Sequence, residues 1–339
     1  MVWMYFYLVI LILSAMLTWA LRRYALTINL LDIPNHRSSH SVPTPRGGGI
    51  AFVFCFLLAL SGLAWLQIIS LSLFAVLGGV GLFIAVLGFL DDNYNIAAKW
   101  RLLGHFIACG FSVFLLGGMP DISFFSWTLS SSLVSDILAV FYLVWLLNLY
   151  NFMDGIDGIA AIEAVTVCLN GALLYWFHSY QFAMFLPCVL AVAVAGFLFW
   201  NFPPARIFMG DAGSGFLGFI LGVLSIQAAM INSHFFWSWM ILLGVFIVDA
   251  TVTLLNRARC GERLFEAHCN HAYQHASRYY GQHITVTLSV FIINLLWLLP
   301  MAFMVSNNLI NGFFGLLIAY FPLIILALKF NAGKNINGS

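Results

Sequence analysis

Residues 3–21 read WMYFYLVILILSAMLTWAL, an uncharged apolar run that ends directly before Arg22 and Arg23. A helix of this length extends roughly 28 Å, which is close to the thickness of a bilayer's hydrocarbon core. The run could be a signal peptide, but no positive charge precedes it. The sequence therefore predicts a membrane anchor whose N-terminus lies outside.

Similar apolar runs recur along the chain. Of its 339 residues, 63% are hydrophobic and 7% charged, and the mean hydropathy is +1.00. Soluble domains carry about a quarter charged residues, so lipid must be the solvent here. We predict an all-α polytopic membrane protein with a single catalytic domain, residues 1–339, and eleven transmembrane helices. These helices are expected at 3–21, 47–68, 72–90, 102–118, 132–150, 157–177, 181–200, 213–231, 236–255, 284–305 and 310–328.

The basic residues predict the orientation. With eleven spans and an outside start, the inside segments are 22–46, 91–101, 151–156, 201–212, 256–283 and 329–339, and every Lys and Arg falls within them. Cytoplasmic loops of membrane proteins carry such an excess. We therefore expect a periplasmic N-terminus and a cytoplasmic C-terminus. The net charge of +1 argues against a nucleic-acid partner, and the six scattered cysteines do not form a disulfide pattern.

Acidic residues mark the cytoplasmic helix ends as the place of the chemistry. GFLDDNYNIAAKWR at 88–101 pairs Asp91 and Asp92 with Lys99 and Arg101. Carboxylates followed by cations suit a Mg²⁺–phosphate site. Capping of a helix at the interface is the alternative for any single aspartate.

A second polar segment, NLYNFMDGIDGIA at 148–160, separates two apolar runs. Asn151, Asp154 and Asp157 recur at a spacing of three, which places them on one face of a helical turn. An ordinary polar turn is the alternative.

A third segment, WNFPPARIFMGDAGSG at 200–215, opens a helix at Asp211. A helix N-terminus with small residues suits a phosphate or its metal. Phe208 could stack on a base, or equally pack against lipid.

Two further cytoplasmic loops are basic. The loop 256–283 holds Arg257, Arg259, Arg263, His268, His271, His275 and His283, and its arginines and histidines suggest a diphosphate clamp. A zinc site made by its cysteines and histidines is the alternative. In the first loop, Arg46 precedes three glycines that start a helix, an arrangement that suits a phosphate-binding site. The alternative is a solvated loop in which proline and glycine only interrupt regular structure.

Together these blocks resemble the bacterial polyprenyl-phosphate N-acetylhexosamine-1-phosphate transferases, which include the phospho-MurNAc-pentapeptide and GlcNAc-1-phosphate transferases. The matching stretches, in the family's order and spacing, are PTPRGGG at 43–49, GFLDDNYNI at 88–96, NLYNFMDGIDGIA at 148–160, FPPARIFMGDAGS at 202–214 and the histidine loop near 268–271. The form RSSHSVPTPRGGG looks most like enzymes that initiate O-antigen or related surface polysaccharides, of which lipopolysaccharide is the expected one.

The resemblance implies a reaction that joins undecaprenyl phosphate to a UDP-N-acetylamino sugar and releases UMP. It implies Mg²⁺, with Mn²⁺ able to substitute, held by Asp211 and Asn151, and a catalytic role for Asp91, Asp92 and Asp211. The implied substrate-binding residues are Arg46, Asn95, Lys99, Arg101, Asp154, Asp157, Asn201, Phe208, Arg257, Arg259, Arg263, His268 and His271. One feature departs from the family: where it often has H-x-H-H, this chain has His-Cys-Asn-His at 268–271, which puts a shared histidine function in doubt.

The family further implies a bacterial inner-membrane enzyme whose active site faces the cytoplasm, built from segments 22–46, 91–101, 148–158, 201–214 and 256–283. A homodimer is one expectation for its assembly. GlcNAc is the first candidate sugar, with GalNAc and 6-deoxy N-acetylamino sugars open. The rivals are a transporter, whose polar groups would lie near the midplane on broken helices, and another Mg²⁺-dependent membrane prenyl- or phosphotransferase.

Overall fold

Helices make up nearly all of the regular structure. The computed structural model describes residues 2–34, 42–94, 96–125, 127–262 and 269–334. The helices α1 to α13 are, in chain order, Val2–Thr27, Gly49–Trp65, Leu71–Tyr94, Ala98–Leu116, Leu133–Met153, Ile159–Phe177, Phe185–Asn201, Asp211–Ile231, Ser233–Leu242, Gly244–Arg259, Ala272–Tyr280, His283–Ser306 and Gly312–Lys329. Two short antiparallel hairpins pair β1 (Leu31–Asp32) with β2 (Thr44–Pro45), and β3 (Ile122–Phe124) with β4 (Trp127–Leu129). The predicted all-α polytopic class is confirmed.

Each predicted span coincides with one of these helices or with the pair α9–α10. Within the described part of the chain, eight helices are long and apolar enough to cross a membrane, or nine if that bent pair counts as one. The other two, α2 and α7, are apolar but have 17 residues each. That length gives about 25 Å, less than the roughly 30 Å of a hydrocarbon core. The count of eleven spans and their orientation stay predictions.

The span predicted as one helix over 236–255 is broken, so that prediction was wrong. Helices α9 and α10 meet at 68°. The Tyr320 hydroxyl of α13 donates to the Met240 carbonyl at 2.6 Å, and a Cβ on Gly244 would lie 2.9 Å from the Tyr320 ring. A side chain that inserts beside the helical hydrogen-bond ladder is a known cause of such a bend.

Helix α8 lies at the centre of the bundle, with most of its residues buried. Its first turn contacts α2, because a Cβ on Gly213 would lie 2.9 Å from the Cα of Gly49. A Cβ on Gly88 of α3 would overlap the carbonyl group of Asp211. Small residues allow such close approach of membrane helices. The packing brings the start of α2, the end of α3 and the start of α8 to one place.

Candidate active site

The turn between α5 and α6 is held by the segment that follows α7. Asn201 accepts a hydrogen bond from the Gly158 backbone N–H at 3.1 Å and donates to the Ile207 carbonyl at 2.9 Å. The Asp157 carboxylate accepts from the Ala205 backbone N–H at 3.0 Å. Asn201 is buried, so its amide acts as a fixed bridge between the two segments.

The glycine-rich start of α2 pairs with the residues before α8. Gly48 and Gly49 donate their backbone N–H groups to the carbonyls of Phe208 and Met209, each at 2.9 Å. The backbone N–H of Phe208 in turn donates to the Pro45 carbonyl at 2.8 Å. These bonds place two of the predicted blocks, 43–49 and 202–214, side by side.

Asp92 stands at the N-terminus of α8. Its carboxylate accepts a hydrogen bond from the Asp211 backbone N–H at 2.9 Å, and its carbonyl accepts one from Arg46 at 2.6 Å. Gly210 has φ +77, and a Cβ there would lie 2.8 Å from the Asp92 carboxylate. Only glycine suits that backbone and that contact. An anion at a helix N-terminus is also favoured by the helix dipole.

Asp91 points to a different partner. It forms an ion pair with Arg101, whose guanidinium also lies 3.6 Å from the Asp211 carboxylate. Asp91 is only 8% exposed. The two adjacent aspartates therefore have separate surroundings: Asp92 faces α8, and Asp91 holds Arg101 beside Asp211.

These elements surround a cavity of about 350 Å³. Eight of the predicted site residues line it: Arg46, Asp92, Asn151, Asp154, Asp157, Asn201, Phe208 and Asp211. A second, much smaller cavity of about 20 Å³ is lined by Arg101, Asn151 and Asp211 among others. Asn151 and Asp211 line both cavities, and the Asn151 amide donates to the Ser214 hydroxyl at 3.0 Å.

Four carboxyl groups, those of Asp92, Asp154, Asp157 and Asp211, line the same cavity. Burial, and then the charges of Asp211, Asp92 and Asp157, raise the pKa of the Asp154 carboxyl well above its ordinary value. Carboxylates that oppose one another's ionisation favour a bound cation.

The donor set suits a hard divalent cation, since carboxylate and amide oxygens are the ligands that Mg²⁺ prefers. Among the described residues, no three Asp, Glu, His or Cys side chains converge closely enough to hold an ion by themselves. Mg²⁺ commonly binds one or two carboxylates and completes its shell with water and substrate phosphates. A site formed by Asp211 and Asn151 is consistent with that coordination.

Several predicted residues lie away from the cavity. Lys99 is exposed over the Trp100 ring, at 5.5 Å from its centroid, and Arg259 is also exposed. Arg257 is buried and pairs with Glu262 at 2.8 Å. Asn95, Arg263 and His268 lie outside the described residues.

His271 anchors a helix that the sequence did not predict. Its Nδ1 lies 3.2 Å from a carboxylate oxygen of Asp249, which also accepts the backbone N–H groups of Ala272 and Tyr273 at 3.0 and 2.9 Å. These contacts cap α11. His271 is 2% exposed and does not line the cavity.

Two cavity residues, Asp32 and Gln274, were missed by sequence reasoning. His283, which the density of histidines in its loop had indicated, does line the cavity, and its Nδ1 lies 3.2 Å from the Asp157 carboxylate. No sequence pattern indicated Gln274 or Asp32. The predicted zinc alternative gains no support, because no cluster of metal-binding side chains occurs within the described ranges.

Comparison with known proteins agrees with this geometry. The profile described as Glycosyl transferase family 4 matches residues 73–229. The phospho-N-acetylmuramoyl-pentapeptide-transferase of Enterococcus hirae is 31% identical over 241 residues, which cover 66% of this chain and 73% of that protein. The chain belongs to glycosyl transferase family 4.

Two further relatives are named for different polyprenyl phosphates. The probable undecaprenyl-phosphate N-acetylglucosaminyl 1-phosphate transferase of Bacillus subtilis is 28% identical over 248 residues, covering 71% of this chain and 68% of its own length. The decaprenyl-phosphate N-acetylglucosaminephosphotransferase of Mycolicibacterium smegmatis is 29% identical over 228 residues, covering 61% and 55%. The family profile covers the blocks around Asp91, Asp154 and Asp211 but neither the Arg46 segment nor the histidine loop.

Proposed function

We propose that this protein transfers an N-acetylamino-sugar 1-phosphate from a UDP-sugar to undecaprenyl phosphate and releases UMP. The observation that carries the proposal is the single cavity in which Arg46, Asp92, Asn151, Asp154 and Asp211 meet, in a chain of family 4. The relatives' names supply a polyprenyl phosphate acceptor and an N-acetylated sugar phosphate. We place the enzyme in the bacterial inner membrane with this cavity facing the cytoplasm.

The bond changes need little acid–base chemistry. An oxygen of the lipid phosphate attacks the β-phosphorus of the donor, and the bond from that phosphorus to the bridging oxygen breaks. UMP leaves with the electron pair of that bond. A phosphate monoester is largely dianionic near neutral pH, so the attacking oxygen does not have to lose a proton first.

The residues around the cavity bind the phosphates, the metal ion and the nucleoside. Arg46, beside Asp92, and Arg101, beside Asp211, supply positive charge for the phosphates of donor and acceptor. Asp91 acts through Arg101, which it holds in place. Mg²⁺, or Mn²⁺ in its place, would be held by Asp211 and Asn151 and would supply charge stabilisation for the diphosphate. Phe208 and Asp157 border the part of the cavity we assign to the nucleoside.

The finer assignments are also proposals. We infer that the product starts a lipid-linked surface polysaccharide of the O-antigen type, with GlcNAc or a related 6-deoxy N-acetylamino sugar as the first residue. A homodimer stays a prediction. A transporter or an unrelated prenyl- or phosphotransferase is disfavoured by membership of family 4.

The test is UMP release by the full chain purified in detergent. Undecaprenyl phosphate, Mg²⁺ and a panel of UDP-N-acetyl sugars are supplied, and Asp211→Asn is compared with the wild type. We expect UMP only when lipid, metal and one of the donors are all present, and a loss of at least about 100-fold in Asp211→Asn. UMP release that does not depend on the lipid would contradict the proposal.

A further inference from the structure

Helix α11 rests directly on the turn that carries Asp154. The Tyr273 hydroxyl donates to the Phe152 carbonyl at 3.0 Å. A Cβ on Gly155 would lie only 2.2 Å from that hydroxyl oxygen, so the contact requires glycine. Because the Asp249 carboxylate accepts two backbone N–H groups of α11, the helix is fixed at both its N-terminus and its contact with the turn.

Gln274, on the first turn of α11, is 7% exposed and lines the cavity. Its Oε1 accepts the His271 backbone N–H at 3.2 Å. That bond settles the orientation of the amide, because only the oxygen can accept. The Nε2 group is therefore the free end, and it lies 3.0 Å from the position that a Cβ on Gly155 would take. The described residues provide it with no hydrogen-bond acceptor.

An oriented, largely buried amide donor at this position calls for an acceptor from a ligand. Gly155 directly follows Asp154, whose carboxyl feels the charges of Asp92 and Asp211. In the proposed function this acidic end takes the donor diphosphate. The transferred sugar is bonded directly to the β-phosphate, so its ring must lie next to that end.

We propose that Gln274 is a specificity-determining residue, whose Nε2 donates a hydrogen bond to an oxygen of the transferred sugar, either a hydroxyl or the N-acetyl carbonyl. The inference rests on the proposed function and extends it to sugar selection. It also offers a basis for sugar choice that lies outside the region matched by the family profile, since that match ends at residue 229.

The test uses the full chain in detergent and two variants, Gln274→Met and Gln274→Glu. Methionine has a similar length without a donor or charge, and glutamate keeps an oxygen for the His271 N–H while removing the donor. Ser277→Ala is the matched control, because Ser277 lies on the same helix and does not line the cavity. Among the described residues, its hydroxyl bonds only the Gln274 carbonyl. The donors are UDP-GlcNAc, UDP-GalNAc and UDP-glucose, and UMP is tested separately as an inhibitor.

For Gln274→Met we expect kcat/KM for the preferred sugar to fall about tenfold, as for the loss of one buried hydrogen bond. Inhibition by UMP should stay within about twofold of wild type, since UMP carries no sugar. A fall for UDP-GlcNAc that is absent for UDP-glucose assigns the bond to the N-acetyl group, whereas an equal fall for both assigns it to a hydroxyl.

Three results would overturn the inference. One is an unchanged kcat/KM for all three donors in both variants. Another is weaker UMP inhibition in Gln274→Met that matches the loss in kcat/KM, which would make Gln274 a nucleotide contact. The third is a loss shared by Ser277→Ala, which would mark a general disturbance of α11. Failure of the wild type to turn over any of these donors, or a UDP-linked 6-deoxy N-acetylamino sugar, would instead count against the proposed function.

Discussion

Replacing Asp249 by alanine should destabilise the protein strongly, although the residue lies outside the cavity. Its buried carboxylate accepts hydrogen bonds from the backbone N–H groups of Ala272 and Tyr273 and contacts His271 Nδ1. Alanine would leave two helix N–H groups without an acceptor, at roughly 1–3 kcal/mol each. Because losses at neighbouring groups are not additive, we expect a total of about 3–5 kcal/mol for the two N–H groups and the histidine contact together.

For a chain of 339 residues, this free energy corresponds to a fall in melting temperature of about 4–7 °C. The assay is thermal unfolding in detergent followed by intrinsic fluorescence, with UMP release measured on the same samples below the transition. Thr253→Val is the control, since the Thr253 hydroxyl donates to the Asp249 carboxylate at 3.1 Å. It removes one bond and leaves the helix cap in place, so a loss of about 1 kcal/mol is expected.

A double-mutant cycle with His271→Ala separates the contact between Asp249 and the histidine side chain from the cap. We expect a coupling energy between Asp249 and His271 of about 1 kcal/mol or more, and a residual loss in Asp249→Ala even when His271 is already absent. A melting temperature for Asp249→Ala within about 1 °C of wild type would refute the view that this carboxylate holds α11 on the active-site turn.

Three other predictions concern the cavity. Asp154→Asn should abolish activity, yet it should raise the melting temperature measured without divalent metal. Because the pKa of Asp154 is raised in the fold, the wild type should gain stability as the pH falls through that folded pKa. The variant should not show this gain. Gly210→Ala should lower kcat at least about tenfold, since its φ of +77 and the 2.8 Å approach to the Asp92 carboxylate exclude a Cβ; Gly62→Ala, with no atom within 4 Å, should leave activity unchanged. Millimolar Mg²⁺ should raise the melting temperature of the wild type but not that of Asp211→Asn, and an equal rise in both would remove Asp211 from the ligand set.

The helices and much of the cavity could be predicted because their signals are local in the sequence. Apolar runs bounded by polar residues locate the helices, and the segments around Asp154 and Asp211 stand out as polar breaks between such runs. These two segments are expected to line one cavity if the helix ends that carry them lie on the same side of the bundle. The separate surroundings of Asp91 and Asp92 could not be predicted, because adjacent residues on a helix point in different directions and only the packed bundle shows what each one meets.

Contacts between distant segments were the other limit. The break between α9 and α10 depends on Tyr320, about 80 positions along the chain from Met240, and no feature of residues 236–255 indicates it. Glu163 in α6 is fully buried, and its carboxylate accepts a hydrogen bond from Asn294 at 2.6 Å. The sequence analysis did not single it out, since a lone acidic residue in an apolar run has no partner that can be found by spacing.

The destination of the β-phosphorus tests the central claim most directly. A UDP-N-acetyl sugar labelled with ³²P in its β-phosphate is incubated with the purified protein, Mg²⁺ and undecaprenyl phosphate, and the lipid and aqueous phases are separated. We predict that the label enters the lipid in equal amount to the unlabelled UMP released, and that Asp211→Asn prevents both. Label that remains in water-soluble UDP while the sugar moves to the lipid would show transfer of the sugar alone, and would contradict the account.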